Sequence, residues 1–188
     1  GGLEVVPNFS FADLNALLGK SPDIVVLPNI PTITSPQNQP ILTWVKQQDE
    51  KGSLIFSICA GAEVFAATGL LDGRTATTHW GDIDRLEKQY PAVKWVRGVR
   101  YVDGGDYVTS AGITSGIDAT LRVISQRNGA DMAKAIAQKL HYPTYAYVDH
   151  PQVEQYYPDA SMSIFALNLA FHWDHATDGV LLYDGLTE

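Results

Sequence analysis

Short apolar runs alternate with amphipathic stretches along the first three quarters of the chain. The runs at residues 23–28 and 53–58 are almost continuously apolar, which is typical of strands covered on both faces. Between them the pattern predicts a helix over residues 35–51, with Pro36 in its first turn and Gly52 as its C-terminal stop.

The alternation continues to about residue 140. A Gly-Gly pair at residues 104–105 separates two strand-like runs and predicts a hairpin of residues 100–103 and 106–110. The other predicted elements are a helix that follows Cys59 and ends at residue 67, strands at 74–78 and 94–96, and helices at 82–90, 117–127 and 130–140. Strands that alternate with helices predict an α/β fold with a mainly parallel sheet covered on both faces.

Beyond residue 141 the pattern changes. Residues 142–158 are rich in tyrosine and proline, and we expect them to be irregular. Residues 161–171 have a helical pattern, and residues 179–183 form one more apolar run that predicts a buried strand. We therefore expect an α/β domain over residues 1–158, followed by a C-terminal helix and strand over residues 159–188.

The composition excludes several classes of function. The 188 residues carry a formal net charge of −8, and the lysines and arginines form no basic patch, so we expect no nucleic-acid binding by this chain alone. The single cysteine leaves no internal disulfide and favours a reducing compartment, so we expect a cytoplasmic protein. No apolar run reaches the roughly twenty residues needed to cross a bilayer, and no glycine-rich phosphate motif follows a strand, so we expect neither a membrane segment nor a cofactor.

The chemistry points to Cys59, which lies directly between a predicted strand and a predicted helix. A nucleophilic residue on such a turn, followed by small residues, forms a nucleophile elbow. The helix N-terminus is expected to favour the thiolate, and the N–H groups of Ala60 and Gly61 are candidates to hold a developing oxyanion. The alternative is a buried structural cysteine.

Four motifs in a fixed order resemble the ThiJ/PfpI superfamily, relatives of class I glutamine amidotransferases. They are SICAG at residues 57–61, AATGLLDGR at 66–74, ATTHW at 76–80 and DYVTSAGITSGID at 106–118. The closest branches are the amidase-like domains of AraC-type regulators and the isonitrile hydratases. The resemblance implies a flavodoxin-like three-layer sandwich with a nucleophile elbow, with Cys59 as the nucleophile and His79 near the thiol, where it can take a proton. The alternative for His79 is a strand-end histidine bonded to backbone.

Two departures from the family pattern concern the catalytic partners. Members with peptidase-like triads carry histidine directly after the cysteine, and Ala60 in that position argues against a peptidase. The family also begins with a strand and an acid-bearing helix, and nothing before Leu3 supplies that unit. The acidic partner is therefore unknown, and Asp184 and Glu188 are the nearby candidates at the chain's end.

The segment GVLLYDGLTE at residues 179–188 resembles that missing first strand. It is consistent with a permuted arrangement, an exchanged strand or the start of a second copy, and the alternative is an ordinary C-terminal strand. We expect a homodimer.

Two functions remain open. The first is a cysteine-dependent hydrolase or lyase acting on a small carbonyl, amide or isonitrile-like substrate, and the second is a non-catalytic ligand- or redox-sensing domain. The intact turn and His79 favour the enzyme, whereas the missing acid favours the sensor. We expect no metal site, because His141, His150, His172 and His175 have no ligand-like grouping with cysteines or carboxylates. His172 and His175 are three apart with Asp174 between them, which is a weak metal signal.

Overall fold

The structure, a computed structural model, describes residues 6–142. In chain order its regular elements are α1 (Phe11–Leu18), β1 (Ile24–Leu27), α2 (Gln39–Glu50), β2 (Leu54–Ile58), α3 (Gly61–Ala67), β3 (Thr75–Ala76), α4 (Ile83–Gln89), β4 (Lys94–Trp95), β5 (Tyr101–Asp103), β6 (Tyr107–Ser110), α5 (Ser115–Asn128) and α6 (Ala130–Lys139). The helix and strand predicted at residues 161–171 and 179–183 lie outside the described residues, as does the domain boundary at 158.

The main sheet is mostly parallel, as predicted. Its strand order is β1-β2-β6-β5, in which β1, β2 and β6 are parallel and the β5–β6 hairpin is antiparallel. The predicted hairpin is confirmed, and the N–H of Gly104 donates to the carbonyl of Tyr107 at 2.9 Å in its turn.

Because Cys59 and His79 each follow a predicted strand of one mainly parallel sheet, these two strands are expected to be neighbours, but β3 does not lie next to β2. β3 pairs in parallel with β4 in a separate two-stranded sheet, and β6 occupies the place beside β2. The two sheets are linked by polar contacts, since the N–H of Thr77 donates to Thr109 Oγ1 at 3.0 Å and Tyr107 Oη donates to the carbonyl of Thr75 at 2.7 Å.

Helices cover both faces of the main sheet, so the predicted three-layer arrangement is confirmed. One apolar core joins the sheet to α2, α3 and α4; its fully buried members include Val45, Ile55, Phe65 and Leu86. The other face packs against α5 through Phe56, Val108, Ala119 and Val123. Helix α6 packs on the outer side of α5.

Helix α1 is an element that the sequence analysis missed. Ser10 caps it by accepting a hydrogen bond from the N–H of Asp13, and Gly19 ends it with a φ of 60°. Ser10 and Gly19 are therefore the residues from which this helix could have been predicted. The helix has no buried residue and packs through Phe11, which stacks on Trp44 with ring centroids 4.6 Å apart.

Two predicted helices begin with a tighter turn than expected. The predicted helix at residues 35–51 opens with a 3₁₀ turn, Pro36–Asn38, and the α-helical part starts only at Gln39, followed directly by Pro40. A second 3₁₀ turn, Trp80–Asp82, precedes α4 and carries the residues that follow His79. In the part of the chain from 6 to 142, no helix is both long and apolar enough to cross a bilayer.

Candidate functional site

The turn between β2 and α3 holds Cys59 in an unusual backbone conformation. Its φ is 56°, in the left-handed region that residues other than glycine rarely adopt. The chain on either side is anchored, because the Cys59 N–H donates to the carbonyl of Ser110 at 3.1 Å and its own carbonyl accepts from the N–H of Ala62 at 3.2 Å. The thiol is half-buried at the carboxyl end of the sheet.

Gly61 allows this turn to lie close to the neighbouring strand. A Cβ at this position would lie 2.0 Å from the carbonyl oxygen of Leu27, which is a backbone atom that cannot move aside. The start of α3 therefore packs directly on the end of β1, and this contact fixes the height of Cys59 above the sheet.

The electrostatics at the sulfur differ from the expectation of a lowered thiol pKa. Burial raises the pKa of the Cys59 thiol above its usual value, the Ala60 N–H partly offsets this by donating to the sulfur, and the negative charge of Asp82 adds to the increase. Desolvation therefore outweighs the effect of the Ala60 N–H on the thiol. The expectation of a lowered pKa is wrong, and the thiol form predominates at neutral pH.

His79 lies on the segment that runs past Cys59. The hydroxyl of its neighbour Thr78 donates to the Cys59 carbonyl at 3.0 Å, so β3 delivers this segment to the same end of the main sheet even though it does not pair with β2. The His79 ring is partly exposed, and its Nδ1 accepts from the N–H of Gly81 at 3.3 Å. His79 thus makes a backbone hydrogen bond, as the alternative interpretation expected. That the His79 ring reaches the Cys59 thiol stays a prediction.

A charged cluster adjoins this segment, and the sequence analysis did not identify it. Asp82 Oδ2 lies 3.5 Å from His79 Nδ1, and Arg85 Nη2 contacts Asp82 Oδ1 at 3.1 Å and Glu63 Oε2 at 2.7 Å. The sequence carried a signal for this cluster, because His79, Asp82 and Arg85 are spaced three residues apart, which brings side chains together on one side of a helical turn. Glu63 comes from α3, four residues after Cys59, so the cluster joins two helices around the turn.

The acidic residue in the first turn of α1 is Asp13, which accepts from the hydroxyl of Ser10 at 2.6 Å, and the helix packs on Trp44. The candidates Asp184 and Glu188 lie outside the described residues, as do His172 and His175.

Across residues 6–142, no three His, Cys, Asp or Glu side chains are grouped so that they could hold a metal ion.

An apolar groove of about 360 Å³ lies between α5 and α6, next to the last residue of β2. Ile58, the residue before Cys59, lines it together with Ile113, Ile117 and Leu140.

Comparison with known proteins gives a consistent result. Residues 1–126 match the DJ-1/PfpI family. The HTH-type transcriptional regulator CdhR of Pseudomonas aeruginosa is 35% identical over 99 residues, which are 53% of this chain and 29% of the regulator. Isonitrile hydratase of Pseudomonas putida is 30% identical over 142 residues, which are 75% of this chain and 59% of the hydratase. The chain thus spans less than two thirds of either relative.

The fold agrees with these matches. A crystal structure of a ThiJ/PfpI family protein from Pseudomonas syringae superposes with a TM-score of 0.63 at 23% identity, covering 75% of this chain and 56% of that one. At this identity the likeness shows the fold alone.

Proposed function

Because the chain belongs to the DJ-1/PfpI family, we propose that Cys59 is the nucleophile of a cysteine-dependent hydrolase or lyase that acts on a small carbonyl, amide or isonitrile-like substrate. The observation that carries the proposal is the φ of 56° at Cys59, on a turn between a buried parallel strand and a helix. This backbone conformation supports a nucleophile elbow, a turn that directs the side chain away from the sheet toward a substrate. Such backbone strain is concentrated at functional sites.

The raised pKa of the Cys59 thiol supports a role for His79 as a general base. A thiol that stays protonated at neutral pH must pass its proton to a base when it attacks a substrate. The segment that carries His79 contacts Cys59 through the Thr78 hydroxyl, so His79 is the proposed base. In the proposed step the sulfur bonds to the substrate carbon while its proton passes to His79. With a carbonyl or amide, the π pair moves to oxygen, and the N–H groups of Ala60 and Gly61 are the proposed donors to that oxyanion.

An amide adduct then collapses to a thioester as the amine leaves with the proton from His79, whereas with an isonitrile the attacked carbon itself receives that proton and a thioimidate forms. Water gives a proton to His79 and attacks the thioester or thioimidate carbon, and the sulfur leaves with that proton, which returns the free thiol and releases an acid or a formamide. A simple carbonyl has no leaving group, so its adduct is a reversible hemithioacetal. A peptidase is not proposed, because Ala60 takes the place of the histidine that peptidase-like members carry. The match to isonitrile hydratase over 75% of the chain supports the substrate class.

The second candidate function is a non-catalytic ligand- or redox-sensing domain. The match to the transcriptional regulator CdhR over 99 residues favours it. In this case Cys59 would bind a ligand or be oxidised, and a DNA-binding part would have to come from residues outside this chain.

Turnover of a panel of small carbonyls, amides and isonitriles tests the proposal, with Cys59→Ala as the inactive control. We expect turnover of at least one compound by the natural chain, none by Cys59→Ala and a reduced rate for His79→Ala. Binding without turnover, unchanged by Cys59→Ala, would overturn the enzyme in favour of the sensor.

A further inference from the structure

The 3₁₀ turn after His79 places a carboxylate beside its ring. Asp82 Oδ2 lies 3.5 Å from His79 Nδ1, and the same nitrogen accepts from the N–H of Gly81 at 3.3 Å. One nitrogen cannot serve both partners in one protonation state. A neutral ring with its proton on Nε2 accepts from Gly81, whereas a ring with a proton on Nδ1 donates to Asp82.

Asp82 is held so that each of its oxygens has a separate partner. Arg85 contacts Oδ1 at 3.1 Å and leaves Oδ2 facing His79. Arg85 is itself fixed by Glu63 on α3 at 2.7 Å. The side chains of His79 and Asp82 are 30% and 27% exposed, so solvent screens their interaction only in part. The cluster therefore orients one carboxylate oxygen toward the base.

We propose that Asp82 is the positioning acid of the site: it orients His79 and stabilises the imidazolium that forms when His79 takes the proton of Cys59. The inference rests on the proposed function in one respect, since it requires that Cys59 reacts. Asp82 lies on the 3₁₀ turn, three residues beyond the base. Glu63 and Arg85 act through Asp82 and are not themselves in contact with the ring.

The charge of Asp82 has two opposite effects. It repels a thiolate at Cys59, and it attracts an imidazolium at His79. The charged groups around the pair are Glu63 from α3, Asp82 from the 3₁₀ turn and Arg85 from α4. The attraction acts across 3.5 Å to the ring and becomes important only when His79 accepts the proton. The sign of the effect of Asp82 on Cys59 reactivity therefore depends on whether His79 is present.

A double-mutant cycle tests this dependence. Cys59 is the sole cysteine, so its alkylation by iodoacetamide near neutral pH reports on one site. We expect Asp82→Asn to slow alkylation about fivefold when His79 is present, and to speed it when His79 is replaced by Ala. The matched control is Asp84→Asn, which removes the same charge from an exposed residue paired with Arg97 at 2.6 Å and should change neither rate.

Three outcomes would overturn the inference. If Asp82→Asn speeds alkylation in both backgrounds, Asp82 acts only by repelling the thiolate. If it slows both, its role is structural, and if it changes neither, it has no role. Circular dichroism of each variant checks that it is folded.

A second measurement separates this inference from the proposed function. The ¹⁵N chemical shifts of the His79 ring report which nitrogen carries the proton, whether or not Cys59 reacts. We expect Asp82→Asn to reduce the population protonated on Nδ1, and an unchanged spectrum would contradict the positioning role. If Cys59 is unreactive but the ¹⁵N chemical shifts of the His79 ring change in Asp82→Asn, the proposed function is overturned. The interaction between His79 and Asp82 is then still supported.

Discussion

At the residue scale, Cys59 is subject to opposing effects. Its position at the start of a helix gives it a donor, the Ala60 N–H, which stabilises the thiolate. Burial acts in the other direction and is the larger effect, and the charge of Asp82 reinforces it. A thiol of this kind resists indiscriminate alkylation and becomes nucleophilic when a base takes its proton, which is consistent with an enzyme that reacts only with bound substrate.

The pH dependence of alkylation checks this balance. In His79→Ala, where no neighbouring imidazole can accept the proton, we expect the alkylation rate to rise with pH around a midpoint above the pKa of an ordinary cysteine. The thiolate forms late because burial and Asp82 both disfavour it. The same protein unfolded in denaturant provides the reference thiol, and a midpoint at or below that reference would contradict the prediction.

At the scale of elements, a buried ion pair ties β5 to α5 and to the end of α6. Arg100, just before β5, contacts Asp118 in the first turn of α5, and the Asp118 side chain is 0% exposed. The hydroxyl of Tyr142 donates to the other Asp118 oxygen at 2.8 Å, and burial raises the pKa of that hydroxyl, as does the charge of Asp118. Asp118 thus lies in the first turn of α5 and is the centre of a buried polar network.

Removing the charge of Asp118 should be strongly destabilising. We expect Asp118→Asn to lower the free energy of unfolding by about 3–5 kcal/mol, because it removes the carboxylate charge that is paired with the buried Arg100 guanidinium. Denaturant unfolding measures the loss. The matched control is Asp106→Asn, which breaks an exposed pair with Arg74 and should lower the stability by at most about 1 kcal/mol. Equal losses of stability in the two variants would show that the buried ion pair contributes no more than the exposed one.

At the scale of the whole molecule, the free side of β1 is the notable feature. Among residues 6–142, β1 pairs with β2 alone, and Val26 on β1 is 50% exposed whereas its neighbours Val25 and Leu27 are buried. An uncovered apolar strand at a sheet edge favours association with another strand. We propose that residues 179–183 provide that strand, either within the chain or by exchange in a homodimer.

Truncation after Asp174 tests this proposal. We expect the truncated chain to be less soluble and to lose more than about 3 kcal/mol of stability, because apolar residues such as Val180, Leu181 and Leu182 would each contribute about 1.5–3 kcal/mol when buried in the proposed strand. Denaturant unfolding measures the stability, and light scattering shows whether a dimer becomes a monomer, as exchange requires.

A point variant at the receiving edge adds a control for the truncation. We expect Val26→Lys to destabilise the full chain and be tolerated in the truncated one, because the proposed strand would lie beside β1 only in the full chain. A truncated chain that remains soluble and equally stable would show that the strand is an appendage.

The sequence by itself determined the elements whose signal is local. Continuous apolar runs identified β1 and β2, the Gly-Gly pair identified the hairpin, and the order strand, cysteine, small residues and helix identified the turn that carries Cys59. These features depend on neighbouring residues along the chain, which is the information that a periodicity or a turn motif contains.

The tertiary structure alone decided the properties that depend on residues far apart in the chain. The pairing of β3 with β4 instead of β2 follows from which strands meet in space, and a strand's own pattern does not name its neighbours. The raised pKa of Cys59 reflects desolvation by the whole surrounding fold. Glu63 and Arg85 meet because α3 and α4 come together beside the turn, so the orientation of Asp82 toward His79 arises only once both helices are packed.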